Sequence, residues 1–206
     1  MGNEVSSIAF VLRHYVPFNE KIILLDRDIG KFQSWVQISR KYAFFEKIGA
    51  GTLISYQQVV RKERRMIRFQ QIYDMPFILA ATNILFLHHL LEVCSFFLPL
   101  EGYDSSAIFD LLLFVYHLDD ELLTVHRQKL LLFRLYALLG LYPEHVTFHN
   151  ASFYLWVTCP LKELMTQHVG LPIERLLDIW LINCIRSHPM VSSFKTIRFL
   201  DEVRVP

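Results

Sequence analysis

Lysine and arginine residues crowd the first 75 residues of this chain, and the chemistry they suit is the neutralisation of phosphate groups. Residues 1–75 contain 12 Lys and Arg against 7 Asp and Glu, whereas residues 76–206 contain 9 against 13. The first part therefore has a formal charge of +5 and the second a formal charge of −4, which together give the net charge of +1. Such an asymmetry indicates a polyanion partner for the basic part. Binding of this kind depends on the number of cations more than on their spacing, because counterion release drives it.

The candidates for phosphate contact lie mostly at predicted strand ends and in the loops between strands. They are Arg13, Lys31, Arg40, Lys41, Arg61, Lys62, Arg64 and Arg65, and Lys21 and Arg27 complete the basic set. Faces on which bases can stack are offered by Phe32, Trp35, Tyr42, Phe44 and Phe45. The opposing interpretation is that the charges solvate a small domain and the rings fill its core.

The histidines, cysteines and carboxylates predict neither a metal site nor covalent catalysis. His145 and His149 are spaced to share a helix face, and Cys159 follows, but a structural zinc needs a fourth ligand that is missing. The carboxylates of Asp119, Asp120 and Glu121 suit a solvated helix end. The sequence contains no phosphate-binding glycine loop and no nucleophile elbow. We therefore expect no enzyme, no metal and no cofactor.

The elements that must position the basic residues are short strands. Alternating and β-branched residues predict strands at Ile8–Tyr15, Lys21–Arg27, Lys31–Ile38, Thr52–Val59 and Met66–Tyr73. Gly30 supplies the positive φ of a hairpin between the second and third. Five short strands in about 70 residues match the OB-fold, although periodicity alone leaves other small β modules open.

Beyond Asp74 the pattern changes to long apolar blocks of helical length. Helices are predicted at Pro76–Phe97, Ser106–Leu123, Thr124–Leu139, Leu161–Val169 and Pro172–Ser187. The sequence thus predicts an α+β chain. Its N-terminal five-stranded OB-fold β-barrel occupies residues 1–75, and an all-helical C-terminal domain occupies residues 76–206.

The high apolar content raises the question of a membrane span, because 53% of the residues are hydrophobic. The most apolar stretch, Met75–Leu100, is interrupted by His89 and Glu92, which are costly in a bilayer. A buried helical core is the favoured interpretation. The three scattered cysteines make a poor disulfide framework, so we expect reduced thiols and a cytoplasmic protein.

Several stretches carry the features of a known family, in the same order along the chain. Val11–Tyr15 and Ile23–Lys31 resemble its opening strands and Gly-Lys hairpin, and Gly51–Tyr56 resembles the strand after its basic loop. Leu130–Pro143 has its Leu-Leu-Gly-x-x-Pro helix end, and Ser187–Leu200 resembles its closing segment. Together these stretches resemble the RecO family of recombination mediators.

The resemblance implies a non-catalytic DNA-repair factor associated with the nucleoid. Such a protein binds single- and double-stranded DNA, anneals strands and helps RecR to load a RecA-type recombinase. Family members also dock the acidic, hydrophobic tail of single-stranded-DNA-binding protein on the helical domain. Here the residues expected to receive that tail are Arg127, Lys129 and Arg134.

Two departures from the family pattern bear on this expectation. The four-cysteine zinc module that many members carry is absent, as it is from some members, because residues 144–158 contain no cysteine. The basic loop after the third strand is reduced to Ser39-Arg40-Lys41. The alternatives are a protein–protein adaptor with an incidental basic β domain and a membrane-associated helical protein.

Overall fold

The chain divides into two compact units. The computed structural model describes residues 6–14, 21–36, 48–61, 64–74, 83–142 and 151–198. The first unit joins Met1–Ala81 with Leu91–Asp110, and the second joins Thr82–Leu90 with Leu111–Pro206. The segment Leu91–Asp110 therefore groups with the strands and not with the later helices.

Five strands form a closed barrel in the first unit, which confirms the barrel predicted from the alternating pattern. They are β1 (Ser7–His14), β2 (Lys21–Asp26), β3 (Gly30–Val36), β4 (Leu53–Arg61) and β5 (Arg64–Asp74). Their order around the barrel is β1-β2-β3-β5-β4, and β1 closes it by pairing with β4. Neighbouring strands are antiparallel except β3 and β5, which run parallel.

The interior of the barrel is filled by residues at alternate positions, because successive side chains of a strand point to opposite faces. The core residues are Ala9, Val11, Ile22, Leu24, Phe32, Val36, Ile48, Ile54, Tyr56 and Ile67. Phe32, one of the rings predicted to stack on bases, is 1% exposed and lies in this core. For Phe32 the structure therefore supports the interpretation that the rings fill the core.

The turn between β2 and β3 is held by a buried carboxylate and a glycine. Asp26 accepts hydrogen bonds from the backbone amides of Asp28 and Ile29 and from the Tyr56 hydroxyl. Gly30 has a φ of +84°, as predicted, and a Cβ there would lie 2.7 Å from the Tyr103 carbonyl oxygen. Glycine is thus required both for the backbone conformation and for the close approach of a second segment.

That second segment covers one side of the barrel. The rings of Phe10 on β1 and Phe109 lie 5.2 Å apart, and the Arg27 guanidinium pairs with the Asp110 carboxylate at 2.9 Å. The Glu101 amide donates to the Lys31 carbonyl. The segment therefore covers Phe10, Gly30 and Lys31, whereas Arg27 and Asp28 of the turn remain exposed.

Helices make up most of what is described after residue 83. They are α1 (Ile84–Phe97), α2 (Ser106–Tyr116), α3 (Val125–Leu138), α4 (Ala151–Thr158), α5 (Leu161–Leu164) and α6 (Leu171–Arg186). Short 3-10 turns occupy Asp120–Leu122 and Val191–Ser193. The helical character of this part of the chain, predicted from its apolar blocks, is confirmed.

Individual helices differ from the predicted ones in four places. The first begins at Ile84, whereas its predicted start, Pro76, lies outside the described residues. The second helix ends at Tyr116 instead of Leu123, and the helix at Leu161 spans one turn only. No helix was predicted at Ala151–Thr158, where α4 forms. The sequence of α4 is rich in aromatic and β-branched residues, which have low helix propensity. The helix is explained by the packing of Phe153 and Trp156 on the Phe133 ring of α3.

Among the residues that the structure describes, no helix combines the length and the apolar character needed to cross a bilayer.

Candidate nucleic-acid interface

The outer surface of β3 and β5 includes residues that the segment Leu91–Asp110 leaves exposed. Along the outer side of β3, Lys31 is buried, Gln33 is exposed and Trp35 is half-buried, so the cover ends between Lys31 and Gln33. On β5, Met66 is half-buried and Arg68 is exposed. We call this surface the β3–β5 face and define it by Gln33, Trp35, Met66, Arg68 and Gln70.

Trp35 lies near the centre of this face because of strand register. It is paired with Lys21 of β2 on one side and with Met66 of β5 on the other. The Lys21 ammonium lies 4.9 Å from the centroid of the Trp35 ring, within the range of a cation–π contact. A positive charge and a large aromatic surface thus occur together on the outside of the barrel.

The hairpin between β4 and β5 brings further basic residues to the same region. Arg61 pairs with Arg64, and Val60 with Arg65, at the end of the β4–β5 ladder. Arg65 directly precedes Met66, whose register partner is Trp35, so the hairpin begins about 3 Å along the strand from the face. The backbone therefore groups the predicted residues Arg61, Arg64 and Arg65 with the β3–β5 face.

Two predicted DNA contacts lie on the covered side of the barrel. The guanidinium carbon of Arg13 stacks 4.2 Å from the centroid of the Phe96 ring. The Lys31 ammonium donates hydrogen bonds to the carbonyls of Ser95 and Leu98, at 2.6 and 2.5 Å, where α1 ends. Lys31 is only 7% exposed, so it stabilises a helix end and cannot reach a phosphate in this structure.

The environment of Lys31 also alters its ionisation. Burial lowers its pKa, and the nearby charge of Arg13 lowers it further. This environment could not be predicted from residues near Lys31, because the residues that cover it are more than 60 positions away.

Several predicted residues lie outside the described ranges. These are Arg40, Lys41 and Lys62 among the cations, and Tyr42, Phe44 and Phe45 among the rings. His145 and His149 also lie outside them. Within the described ranges, no group of histidines, cysteines and carboxylates is arranged to hold a metal ion.

The three residues predicted to receive a partner's acidic tail are engaged within the helical unit. Lys129 is 0% exposed and pairs with Glu174 at 3.0 Å and Asp178 at 2.8 Å on α6. Arg127 donates to the carbonyls of Leu122 and Met165. The sequence signal for the Lys129 pairing was the spacing of Glu174 and Asp178, which places both carboxylates on one helix face.

Arg134 caps a helix instead of facing solvent. Its guanidinium donates to the Trp156 carbonyl at 2.8 Å and the Cys159 carbonyl at 3.4 Å, at the C-terminal end of α4. Lys129 is therefore closed to a partner's carboxylate in this structure, whereas Arg127 and Arg134 are half-buried and each donates to backbone carbonyls.

The neutral part of the β3–β5 face was not predicted from the sequence. Gln33 and Met66 carry no charge, and the parallel register of β3 and β5 that brings Trp35 to Met66 is not local. The available signal was the alternation in Gly30–Val36, which places Gln33 and Trp35 on one side of the strand.

No protein-family model matches this chain, and no curated protein matches it either.

Proposed function

We propose that this chain is a non-catalytic, DNA-binding recombination mediator of the RecO type. In this proposal the barrel is an OB-fold. DNA lies along the β3–β5 face and contacts the cations of the adjacent β4–β5 hairpin.

The strand order supports assignment of the barrel as an OB-fold. That fold is a small five-stranded Greek-key barrel whose second and third strands and whose β1–β2 and β4–β5 loops bind oligonucleotides. Here the order β1-β2-β3-β5-β4 places β3 beside β5, and β4 and β5 are joined by the basic hairpin. The candidate face and its hairpin therefore share β3 and the β4–β5 loop with the surface that OB-folds use.

One observation carries the proposal most directly. Trp35 and Lys21 form a contact on the outside of the barrel, at a point one residue from the start of the arginine-rich hairpin. Proteins that bind single strands combine a cationic groove for the backbone with aromatic faces for the bases. The β3–β5 face with its hairpin has both components.

The mediator role rests on the resemblance to RecO, which supplies the expectations of strand annealing and of work with RecR and a RecA-type recombinase. The tail of single-stranded-DNA-binding protein remains a proposed partner of the helical unit. Because Arg127, Lys129 and Arg134 bond within that unit, this proposal assigns the tail no contact with them.

The proposal is tested by anisotropy of a labelled oligonucleotide and by an annealing assay. We expect binding at low salt, a linear fall of log affinity with log salt, and faster pairing of two complementary strands. Absence of binding at low salt would overturn the proposal. Binding without any acceleration of annealing would remove the mediator role and leave a DNA-binding protein.

The adaptor remains the second candidate, because large apolar side chains are exposed on the helical unit. Tyr154 is 77% exposed, Leu171 62% and Ile179 54%. Exposed apolar groups of this size mark protein contacts when they are contiguous. Failure of the parent chain to bind DNA would favour this function.

A further inference from the structure

The contact between Lys21 and Trp35 determines whether a base can reach the aromatic ring of the β3–β5 face. The Lys21 ammonium lies over the indole ring, 4.9 Å from its centroid, so it covers the surface that a base would use. A base can stack there only if the ammonium moves. The two residues stand opposite each other on β2 and β3, and both are half-buried.

We propose that Lys21 and Trp35 form a stacking subsite selective for single-stranded nucleic acid. An unpaired base displaces the Lys21 ammonium from the Trp35 ring, and the released ammonium pairs with a neighbouring phosphate. This inference rests on the proposed function and adds to it the strand preference and the residues that determine it.

The exchange is favourable on ordinary magnitudes. A cation–π contact at an exposed site contributes about a two- to fivefold factor in an equilibrium constant. Stacking of one base on an aromatic side chain contributes about a five- to 150-fold factor. The flexible stem of lysine also lets the ammonium gain a phosphate contact after it leaves the ring. The ring therefore gains a stronger partner, and the charge is not left without one.

The selectivity follows from which nucleic-acid surfaces are available. In a duplex the flat faces of the bases are stacked on one another, and a protein meets only base edges and the backbone. A single strand can turn a base outward onto an aromatic ring. Trp35 should therefore strengthen binding to a single strand, whereas the hairpin cations should act on both forms of DNA.

The surroundings of Trp35 fit one base better than an extended stack. Met66 is its register partner on β5, and Gln33 lies two positions away on the same side of β3. Met66 offers a polarizable apolar neighbour for a ring edge, and the exposed Gln33 amide has both a donor and an acceptor for a base. Neither neighbour carries a charge, and Lys21 is the cation that lies over the ring, so the phosphate contact of this subsite is assigned to Lys21, beside the contacts of the hairpin cations.

The test compares variants on an oligothymidylate of about 16 nucleotides and on a duplex of the same length. Trp35→Ala should weaken single-strand binding about five- to 150-fold, with an unchanged salt slope and a duplex affinity within about twofold. Trp35→Phe, which keeps a ring, should fall between Trp35→Ala and the parent. Lys21→Gln should lower the salt slope by about 0.7 and retain the quenching of Trp35 fluorescence by the oligonucleotide.

Tyr73→Ala is the control. Tyr73 is an aromatic residue of β5 that is 48% exposed and lies far along that strand from Met66, the register partner of Trp35. It should bind both forms of DNA like the parent. Equal losses on single strand and duplex in Trp35→Ala, or no loss on the single strand, would overturn the subsite while DNA binding by the parent stands. No binding by the parent would instead refute the proposed function.

Discussion

The Tyr56 hydroxyl donates a hydrogen bond of 2.8 Å to the Asp26 carboxylate inside the barrel, between β4 and β2. The same carboxylate accepts two backbone amides of the β2–β3 turn. The pair thus connects the turn that Gly30 enters to the strand on the opposite side of the barrel.

We expect Tyr56→Phe to lower the free energy of unfolding by about 1.5–3 kcal/mol, the usual value for a hydrogen bond to a charged group. The loss arises because Asp26 is only 2% exposed and water cannot easily replace the hydroxyl. Urea unfolding measures it. Tyr73→Phe, which removes a hydroxyl from an exposed ring, should change stability by less than about 0.5 kcal/mol. Equal effects in the two variants would contradict a role for the buried pair.

The two reasons for a glycine at position 30, its positive φ and its close contact with Tyr103, can be tested separately. Gly30→Ala combines a positive φ with a Cβ 2.7 Å from the Tyr103 carbonyl oxygen, whereas Gly102→Ala has a φ of +77° with no atom within 4 Å. Gly102→Ala should cost about 1–2 kcal/mol from backbone strain alone. Gly30→Ala should cost more, since backbone must also shift. Thermal unfolding of both variants tests this. An equal loss of stability would show that the Tyr103 backbone moves away from the added Cβ at no cost.

Two lysines of the same barrel should have opposite roles. Lys31→Met should lower the free energy of unfolding by about 1–3 kcal/mol, because the Ser95 and Leu98 carbonyls lose a buried donor. It should leave the salt slope of DNA binding unchanged. Lys21→Met should leave stability within about 0.5 kcal/mol and lower that slope. A stable Lys31→Met protein with a reduced slope would return Lys31 to the DNA site.

Stability should fall in alkali because of buried thiols. Burial raises the pKa of Cys94 from 9.0 to about 12 and that of Cys184 likewise to about 12. Between these values the unfolded chain has lost the proton that the folded chain keeps, so stability decreases as pH rises. For the fully buried Cys94 the slope approaches about 1.4 kcal/mol per pH unit.

Two other buried groups act on the same pH range. Burial, with the hydrogen bond to Asp26 second, raises the pKa of Tyr56, which adds to the loss above pH 10. The lowered pKa of Lys31 works in the opposite direction below pH 10.5, since the unfolded chain then binds the extra proton. Urea midpoints at rising pH measure the sum. Cys94→Ala should flatten the decline, and an unchanged decline would exclude the thiol as its cause.

The barrel was predictable from sequence because its information is local. Alternation in Lys21–Asp26 and Gly30–Val36, with a glycine between them, specifies a hairpin without reference to the rest of the chain. The closed order of strands is consistent with that pattern but is determined by long-range pairing, such as that of Trp35 with Met66.

The site was predictable only in part, and the errors have one physical origin. Lys31 and Lys129 were predicted from sequence as surface charges, but distant segments bury both. Lysine has a long apolar stem that tolerates burial when its ammonium finds oxygen partners, and those partners lie 64 and 45 positions away. Charge counts alone cannot reveal such pairs.

The Arg64→Ala/Arg65→Ala double variant shows, through the salt dependence of its binding, whether the β4–β5 hairpin contacts DNA phosphates. The control variant, Lys162→Ala/Arg186→Ala, also removes two positive charges, but from exposed positions of the helical unit. On a single strand, the hairpin variant should bind more weakly and lower the salt slope by about 1.4, while the control keeps the parent slope. An unchanged slope in the hairpin variant, or an equal fall in the control, would contradict a specific contact between the hairpin and DNA phosphates.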